Sequence, residues 1–306
     1  MDRLEAMEYF IAAVETGSFS AAGRQLNVPL PTVSRKVADL ETHLNTQLLV
    51  RSTRKLALTE AGASYLAACK RILDQVEEAE SQAAGDHSVP RGGLKITAPI
   101  VFGRLYVVPV VTAFLAEFPE INVYLTLSDR TLDLVDEHVD LAVRTGMLSD
   151  TTLVATKVGE IRRVVCGSPA YFSAHGTPKT LDDLAKHMCV TYTALASGST
   201  WIFNPRDGKP SRGVRPQCRL KINTAEAAID AAISGIGVTN VLSYQIVKPV
   251  SEGKLSLILQ DFEPEPTPVN IIYARQALLP LKIRLFIDFA VSHLRKSLDD
   301  DLARLR

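Results

Sequence analysis

The residues of this 306-residue chain whose types and spacing suggest chemistry are cationic side chains grouped near its beginning. Between positions 24 and 55 the sequence has six arginine and lysine residues and two acidic ones, a local balance of 6 − 2 = +4. The cations are Arg24, Arg35, Lys36, Arg51, Arg54 and Lys55. Because the whole chain is balanced, with 34 basic and 34 acidic residues, this excess predicts a local surface for a polyanion such as nucleic-acid phosphate.

Catalytic spacing patterns are missing from the sequence. It has no GxSxG elbow, no HExxH motif and no GxGxxG at a predicted strand-to-helix turn. Gly235-Ile236-Gly237 precedes a predicted strand, which is the wrong context for nucleotide binding. The four cysteines, at positions 69, 166, 189 and 218, form no CxxC pair and no zinc spacing with histidine, so we expect reduced core residues. An enzyme is therefore disfavoured, and we predict no metal and no cofactor.

Two short helical patterns carry the first half of the cationic group. Residues 17–22 begin one helix, with a serine oxygen available to cap free amides, and the pattern ends at Asn27. After a tight turn, apolar residues at helical spacing mark the buried face of a second helix: Val33, Val37, Leu40 and Leu44. Pro31 suits the first turn of that helix, where no amide hydrogen is needed. We therefore predict a helix-turn-helix whose second helix has on its solvent face Thr32, Arg35, Lys36 and Asp39.

The second half of the cationic group falls between two short apolar runs. Residues 48–50 and 56–58 flank residues 51–55, which predicts a two-stranded wing with a cationic tip. Thr59 and Glu60 then cap the next helix. Phosphate contacts from a wing add affinity without reading sequence, whereas polar side chains at the start of the second helix reach base edges in the major groove.

A long helix is predicted between residue 60 and about residue 84, where proline is missing and glycine stops after Gly62. Its apolar residues recur at alternating steps of four and three: Tyr65, Cys69, Ile72, Val76, Ala79 and Ala83. Such a heptad seam predicts pairing with a second copy of the chain. The alternative is that the stripe packs on its own domain. Residues 85–93 then form a predicted hinge linker.

The remainder of the chain has the pattern of an α/β domain. Short β-type runs at residues 94–97, 123–127, 141–143 and 164–166 alternate with helical stretches such as residues 102–117. The longest apolar stretch, residues 105–116, is shorter than the roughly 20 residues that span a bilayer, and Pro109 interrupts it. The first residues also lack the profile of a secretory signal, so we expect a cytoplasmic protein.

At these positions the chain resembles the LysR-type transcriptional regulators. In the first third, the matching residues are Gly17-Ser18-Phe19-Ser20-Ala21-Ala22, Leu26, Val33-Ser34-Arg35, Leu40-Glu41, Leu44, Arg51 and Leu58-Thr59-Glu60-Ala61-Gly62. Further along they are Ala98-Pro99, Phe118-Pro119-Glu120-Ile121, Asp140-Leu141-Ala142-Val143-Arg144, Ser168-Pro169-Ala170-Tyr171-Phe172, His175-Gly176 and Gly235-Ile236-Gly237-Val238, which resemble the family's effector domain and its CrgA-like branch in particular. Three positions depart from the family pattern: Pro29 replaces a common serine cap, Asn45 a usual glycine, and Leu49 a usual phenylalanine.

The resemblance implies three regions: a winged helix-turn-helix at 1–60, a linker and dimerisation helix with a hinge at 61–91, and an effector-binding domain at 92–306. The last would form two α/β lobes like a periplasmic solute-binding protein. Its first lobe would hold about 92–162 and 269–306, and its second about 163–268. The chain would cross between lobes near 162–165 and return near 266–270.

Site residues follow from these patterns and from the resemblance. We expect DNA contacts from the two short helices and the wing, through Ser18, Ser20, Arg24, Leu30, Pro31, Thr32, Ser34, Arg35, Lys36, Arg51, Arg54 and Lys55. Ligands of two-lobed folds bind in the cleft, where strand ends and helix N-termini meet. The expected effector-binding residues are Thr97, Ala98, Pro99, Phe102, Ser128, Arg144, Thr193, Asn223, Thr224 and Thr239. Arg144 is a candidate counter-ion for a carboxylate, although its motif is also a structural element of the family.

The expected partners are double-stranded DNA at an interrupted palindromic operator and a small effector, an anionic or aromatic metabolite, bound between the lobes. The protein is expected to be a homodimer, and by the family's habit a homotetramer, with RNA polymerase as a partner if it is an activator. No membrane partner is predicted. The alternative is a solute-binding protein without a role on DNA, which would leave the first third of the chain unexplained.

Overall fold

The computed structural model describes residues 2–51, 56–83, 90–130, 134, 137, 139–147, 153–192, 200–204, 210–275 and 279–305, apart from the side chains of residues 51, 74, 77–79 and 81–83. The chain divides into two compact units, Met1–Gly92 and Gly93–Arg306.

The first unit contains the predicted helix-turn-helix, both wing strands and the long helix. Its elements are α1 (Arg3–Thr16), α2 (Phe19–Gln25), α3 (Leu30–Leu44), β1 (Leu49–Arg51), β2 (Leu56–Leu58) and α4 (Glu60–Ala83). The predicted inward residues Val33, Val37 and Leu40 of α3 are fully buried and pack with Phe10 of α1 in one apolar core. Strands β1 and β2 pair antiparallel, with Leu49 opposite Leu58. Burial of the periodic apolar face is what holds the three short helices together.

Of the three departures from the family pattern, two stand at the ends of α3 and one stands in β1. Pro29 stands at the N-cap of α3 and makes no side-chain cap, so that helix starts without the bond that Ser18 gives α2, where the Ala21 amide donates to Ser18 Oγ at 3.0 Å. Asn45 ends α3 with φ +49°, a left-handed conformation that asparagine tolerates better than most residues after glycine. Leu49 is buried at 3% exposure, so it fills the position beneath the wing as an apolar side chain.

The start of α4 is held against Leu48, the residue directly before β1. The Gly62 amide donates to Thr59 Oγ1 at 2.9 Å, which confirms the predicted threonine cap, and the Thr59 amide donates to the Leu48 carbonyl at 3.0 Å. A Cβ atom on Gly62 would stand 2.0 Å from the Leu48 carbonyl oxygen. Glycine is therefore required at position 62 by close backbone approach, which gives the Leu58–Gly62 motif a packing reason.

The second unit is built on two five-stranded mixed sheets, which define two lobes. Lobe I has strand order β4-β3-β5-β14-β6, and lobe II has β11-β8-β12-β7-β13. The strands of lobe I are β3 (Gly92–Ala98), β4 (Ile121–Leu127), β5 (Leu141–Thr145), β6 (Leu153–Ile161) and β14 (Thr267–Ala274). Its helices are α5 (Ile100–Phe102), a π-helical turn (Gly103–Val107), α6 (Val108–Glu117) and α11 (Leu281–Arg304).

Lobe II is formed by the chain between β6 and β14. Its strands are β7 (Arg163–Gly167), β8 (Met188–Tyr192), β11 (Gln217–Ile222), β12 (Val238–Leu242) and β13 (Ser256–Ile258), with a separate hairpin of β9 (Trp201–Phe203) and β10 (Arg212–Val214). Its helices are α7 (Pro169–His175), α8 (Leu181–Leu184), α9 (Ala225–Ile233) and α10 (Val247–Ser251). Two 3-10 turns, Ser243–Gln245 and Gln260–Phe262, complete it. Apolar clusters cover both faces of its sheet, as expected when parallel strands are buried.

The chain passes from lobe I to lobe II at Arg162 and returns to lobe I at the start of β14. Arg162 connects β6 to β7, and its backbone amide donates to Ser243 Oγ at 3.0 Å while the Ser243 amide donates to the Arg162 carbonyl at 2.8 Å. The Arg162 guanidinium forms an ion pair with Glu263, 3.2 Å away, just before the return into β14. The two crossing segments are thus tied to each other by Arg162.

The helical stretch after β3 is longer than the predicted apolar stretch at residues 105–116. Residues Ile100–Glu117 make an 18-residue helix of mean hydropathy 1.7, long and apolar enough to cross a membrane by length and composition. In the fold this stretch covers the sheet of lobe I, with Phe102, Val107 and Phe114 almost fully buried. A core helix therefore accounts for this composition.

The cysteines are free thiols, and three of them are buried: Cys69, Cys166 and Cys189. Burial raises the pKa of Cys69 to about 11, so this thiol is protonated at neutral pH. The prediction of four core cysteines was wrong for Cys218, which is exposed on β11. Because β11 is the edge strand of the lobe II sheet, its side chains are less covered than those of the central strands.

Candidate nucleic-acid interface and effector cleft

The N-terminal end of α3 presents an exposed face that is suited to a DNA groove. Leu30 is 48% exposed although apolar, and Pro31 and Arg35 are exposed beside it, while Thr32 and Ser34 are half-buried. On the preceding helix Arg24 is exposed and donates to Ser20 Oγ at 3.0 Å. The helix-turn-helix therefore brings hydroxyls, a guanidinium and an apolar side chain to one surface, which is the mix that direct readout of bases uses.

Lys36 differs from its neighbour Arg35. Its ammonium forms an ion pair with Glu5 of α1 and is 19% exposed. The hydrogen bond from Lys36 lowers the pKa of Glu5, and the same bond raises the pKa of Lys36. This lysine thus ties α3 to α1 within the domain, so its charge is already compensated.

Ser18 is the cap of α2, and its oxygen is used by the Ala21 amide. Arg51 belongs to β1, and nothing further is described of its side chain. Arg54 and Lys55, predicted at the wing tip, lie outside the described residues.

The predicted seam of α4 faces two environments. Cys69 is fully buried, and Tyr65 and Ile72 pack partly buried against the core of the same unit, with the Tyr65 and Phe10 rings 6.0 Å apart. The first half of the stripe therefore packs on its own domain, which is the alternative considered from the sequence. Val76 is half-buried, and Ala79 and Ala83 belong to the helix with side chains that are not described.

A cavity of about 230 Å³ lies between the two lobes at the ends of their central strands. It is lined by Pro99, Val101, Ser128, Asp129, Arg130, Arg144, Thr145, Arg163, Tyr192, Leu242, Tyr244 and Gln245. Three of the predicted effector residues are among these, namely Pro99, Ser128 and Arg144. The position agrees with the rule that ligands of α/β sheets bind outside the strand ends.

The other predicted effector residues lie elsewhere. Thr97, Ala98, Phe102 and Thr239 are fully buried and do not line the cavity. Thr239 Oγ1 donates to the Val190 carbonyl at 3.1 Å, and Thr97 Oγ1 accepts from Arg144 Nη2 at 3.3 Å. Asn223 and Thr224 are exposed at the start of α9 and do not line the cavity, and Thr193 lies outside the described residues.

Arg163, Tyr192 and Tyr244 line the cavity, and sequence reasoning missed them. Arg163 begins β7 opposite Leu242 of β12, and its Nη1 atom is buried with no hydrogen-bond partner among the described residues. Desolvation lowers the pKa of Arg163, and the pKa of Arg144 is lowered for the same reason, partly offset by Asp129. A strand arginine at a lobe crossing was the only available signal in the sequence.

A larger cavity of about 800 Å³ shares Val101, Tyr244 and Gln245 with the first and extends between α9 and α11. Its charged side chains are largely compensated by neighbours. Arg104 pairs with Glu226 at 2.6 Å, and Arg304 pairs with Asp301 at 3.6 Å. The smaller cavity is therefore the better candidate for a ligand site, because the guanidinium groups that line it have no ion-pair partners among the described residues.

Two family models match the chain. A model described as "Bacterial regulatory helix-turn-helix protein, lysR family" matches residues 4–63, and one described as "LysR substrate binding domain" matches residues 87–295. Together they include the candidate DNA surface and all twelve lining residues of the cleft.

Known regulators resemble the chain over nearly its whole length. An HTH-type transcriptional regulator of Xanthomonas campestris pv. campestris is 35% identical over 96% of this chain and 86% of its own. The regulator CrgA of Neisseria meningitidis serogroup C is 33% identical, covering 96% and 98%. A solved structure of CrgA from Neisseria meningitidis superposes with a TM-score of 0.61 at 32% identity, covering 95% of this chain and 98% of that one. With its helix-turn-helix, two-lobed effector-binding domain and these relatives, the chain belongs to the LysR family of transcriptional regulators, which are not enzymes.

Proposed function

We propose that this regulator binds an interrupted palindromic operator through the exposed face of α3, and that a small effector bound between lobes I and II modulates that binding. The observation that supports the DNA role most strongly is the exposure of Leu30, Pro31 and Arg35 together at the N-terminal end of α3. In helix-turn-helix proteins these first turns are the part that reaches base edges.

We also propose that the protein is a homodimer that pairs through α4 and forms tetramers in the manner of its family. Because Cys69 and its neighbours pack within their own unit, the half of α4 beyond Ile72 is the part that we assign to the contact. Two copies of α3 would then read a two-fold symmetric site. The cytoplasm is the proposed location, and RNA polymerase is a further partner if the protein activates transcription.

Genome-wide mapping of bound DNA, followed by gel shifts on the sites found, tests this function. We expect a shared interrupted palindrome among the sites, and Arg35→Ala should lose it. Lys36→Ala is the matched control, since the Lys36 charge is already paired with Glu5. A random distribution of sites, or equal binding to any DNA sequence, would overturn the proposed operator recognition.

A further inference from the structure

The cleft between the lobes has an uncompensated positive charge. Its described lining residues include three guanidinium groups, of Arg130, Arg144 and Arg163, and a single carboxylate, of Asp129. That carboxylate is partly engaged, since Asp129 Oδ1 accepts from the Ile100 amide at 3.0 Å. Neither Arg144 nor Arg163 has an ion-pair partner among the described residues.

Arg163 is the less satisfied of the two. Arg144 donates to Thr97 Oγ1 and to the Val143 carbonyl, both at 3.3 Å, so part of its fork is used. By contrast, Arg163 Nη1 is buried and has no hydrogen-bond partner among the described residues. The groups that influence its charge electrostatically are the hydroxyls of Tyr192 and Tyr244. A buried charge without a counter-ion is costly, so a protein that keeps one at a cavity wall gains most when an anion arrives.

The cavity is small and only part of its wall is apolar, since Ser128, Thr145 and Gln245 also line it. Pro99, Val101 and Leu242 line it together with the two tyrosines. A volume of about 230 Å³ holds about eight waters at roughly 30 Å³ each, which suits a molecule with one ring and excludes an oligosaccharide. The tyrosine rings and aliphatic side chains favour a flat apolar body over a hydroxylated one.

We propose that the effector is a small carboxylate with a flat apolar body, whose carboxylate is bound jointly by Arg163 of lobe II and Arg144 of lobe I. This inference rests on the proposed function, because it names the ligand class of the same cleft. A guanidinium group can donate two parallel hydrogen bonds to one carboxylate. In the proposed complex each lobe supplies one such guanidinium to the same carboxylate. The two arginines thus select a ligand with a negative charge, and the apolar body of that ligand fills the apolar part of the cavity.

The first experiment measures the ligand-free full chain and needs no knowledge of the natural effector. Arg163→Met removes the unpartnered charge and keeps the length of the side chain, so we expect the unfolding temperature to rise by roughly 2 to 4 °C. Its matched control is Arg162→Met, one residue earlier, which breaks the ion pair with Glu263 and should lower the temperature. A fall for Arg163→Met comparable to that of Arg162→Met would make Arg163 a structural residue and overturn the proposal.

The second experiment uses benzoate, cyclohexanecarboxylate and 2-furoate as probes, each beside its neutral primary amide, with calorimetry on the full chain. We expect at least one acid to bind, its amide to bind at least tenfold more weakly, and Arg163→Met and Arg144→Met each to raise the Kd of the acid at least tenfold. Equal binding of acid and amide, or no binding by any of the three acids, overturns the carboxylate proposal. If the same preparations still bind the operator, a negative result overturns only the ligand class and leaves the proposed regulator function intact.

Discussion

At the scale of single residues, two neighbouring cations of α3 differ in whether an acidic side chain pairs with them. Arg35 is exposed, whereas Lys36 is paired with Glu5. We expect Arg35→Ala to lower the affinity for the operator by about 1 to 3 kcal/mol, the usual worth of a good base contact, and to change nonspecific binding much less. Fluorescence anisotropy with operator and scrambled duplexes at fixed salt gives both values. Equal losses on the two duplexes would assign Arg35 to the phosphates.

The Lys36–Glu5 pair predicts a pH-dependent stability. Glu5 has a pKa lowered below 4.5, so its contribution is present above that pH and is lost as the pH falls through the lowered value. Lys36 has a pKa raised above 10.5, so its contribution is lost only as the pH rises through that higher value. Lys36→Met should therefore lower the unfolding temperature slightly at neutral pH, and the difference should shrink at acid pH as the pH falls through the lowered pKa of Glu5.

Thermal unfolding at the two pH values checks this, with Lys70→Met as the control. Lys70 pairs with Glu15, and both side chains are about half exposed, at 47% and 48%, so water screens the pair more strongly. A Lys36→Met effect that is the same at acid and neutral pH would assign the role of Lys36 to packing of its alkyl chain.

Residue types predicted the buried and exposed faces of α3 better than the lining of the cleft. The spacing of Val33, Val37 and Leu40 fixes which face of α3 is buried, and hence which face carries Arg35. Arg163 has no such signal, because a polar residue at the start of a strand usually faces solvent. Only the fold shows that its Nη1 atom is buried at the lobe junction without a partner.

At the scale of elements, the two halves of the α4 stripe should respond differently to a buried charge. Cys69→Asp places a carboxylate in the core of the first unit, so we expect that unit to lose its folded structure. Val76→Asp lies beyond that core and should leave the fold intact while dissociating the dimer. Sedimentation equilibrium and circular dichroism separate the two effects. A dimer that survives Val76→Asp would place the contact between copies elsewhere.

The start of α4 gives a sharper prediction about stability. Gly62→Ala would push a methyl group against the Leu48 carbonyl, so the start of α4 and the segment before β1 must separate. We expect a loss of at least about 1 to 3 kcal/mol, the usual cost of overpacking a well-packed site. Ala61→Ser is the control, because Ala61 is exposed one residue earlier. Chemical unfolding of the first unit, followed by circular dichroism, gives the comparison, and equal stability of both variants would contradict the close approach.

Sequence periodicity predicted the existence of α4 but left its partner open. The same apolar stripe could pack against a second copy or against the chain's own helices, because a heptad pattern shows only that one face of the helix is apolar. The structure resolves this for Cys69 because α1 happens to reach it. The strands of lobes I and II were likewise predictable as elements, whereas the residues that meet at their ends depend on strand order, which no local pattern encodes.

At the scale of the whole molecule, effector binding must favour one arrangement of the protein over another to alter its action on DNA. Ser128→Phe would fill the cleft from lobe I, since Ser128 lines it and is half-buried. We expect this variant to retain operator binding and to lose the effector response, a coupling that is typically worth about 1 to 3 kcal/mol. A reporter gene titrated with inducer measures it.

Ala98→Val is the control for that reporter experiment. Ala98 is fully buried beside the cleft and does not line it, so a larger side chain there strains the core of lobe I without occupying the ligand's space. An unchanged dose response in Ser128→Phe would place the effector outside this cleft.

The strand order of lobe I also has a consequence for synthesis on the ribosome. Strand β6 pairs only with β14 among the described strands, and β14 is made after the whole of lobe II. A nascent chain that has completed β6 therefore has no partner for it, whereas lobe II is contiguous and can close first. The sheet of lobe I therefore stays incomplete until β14 is made, with an unpaired strand edge and an apolar face that α11 later covers. Chaperone dependence during translation should consequently be concentrated between the emergence of β6 and that of α11.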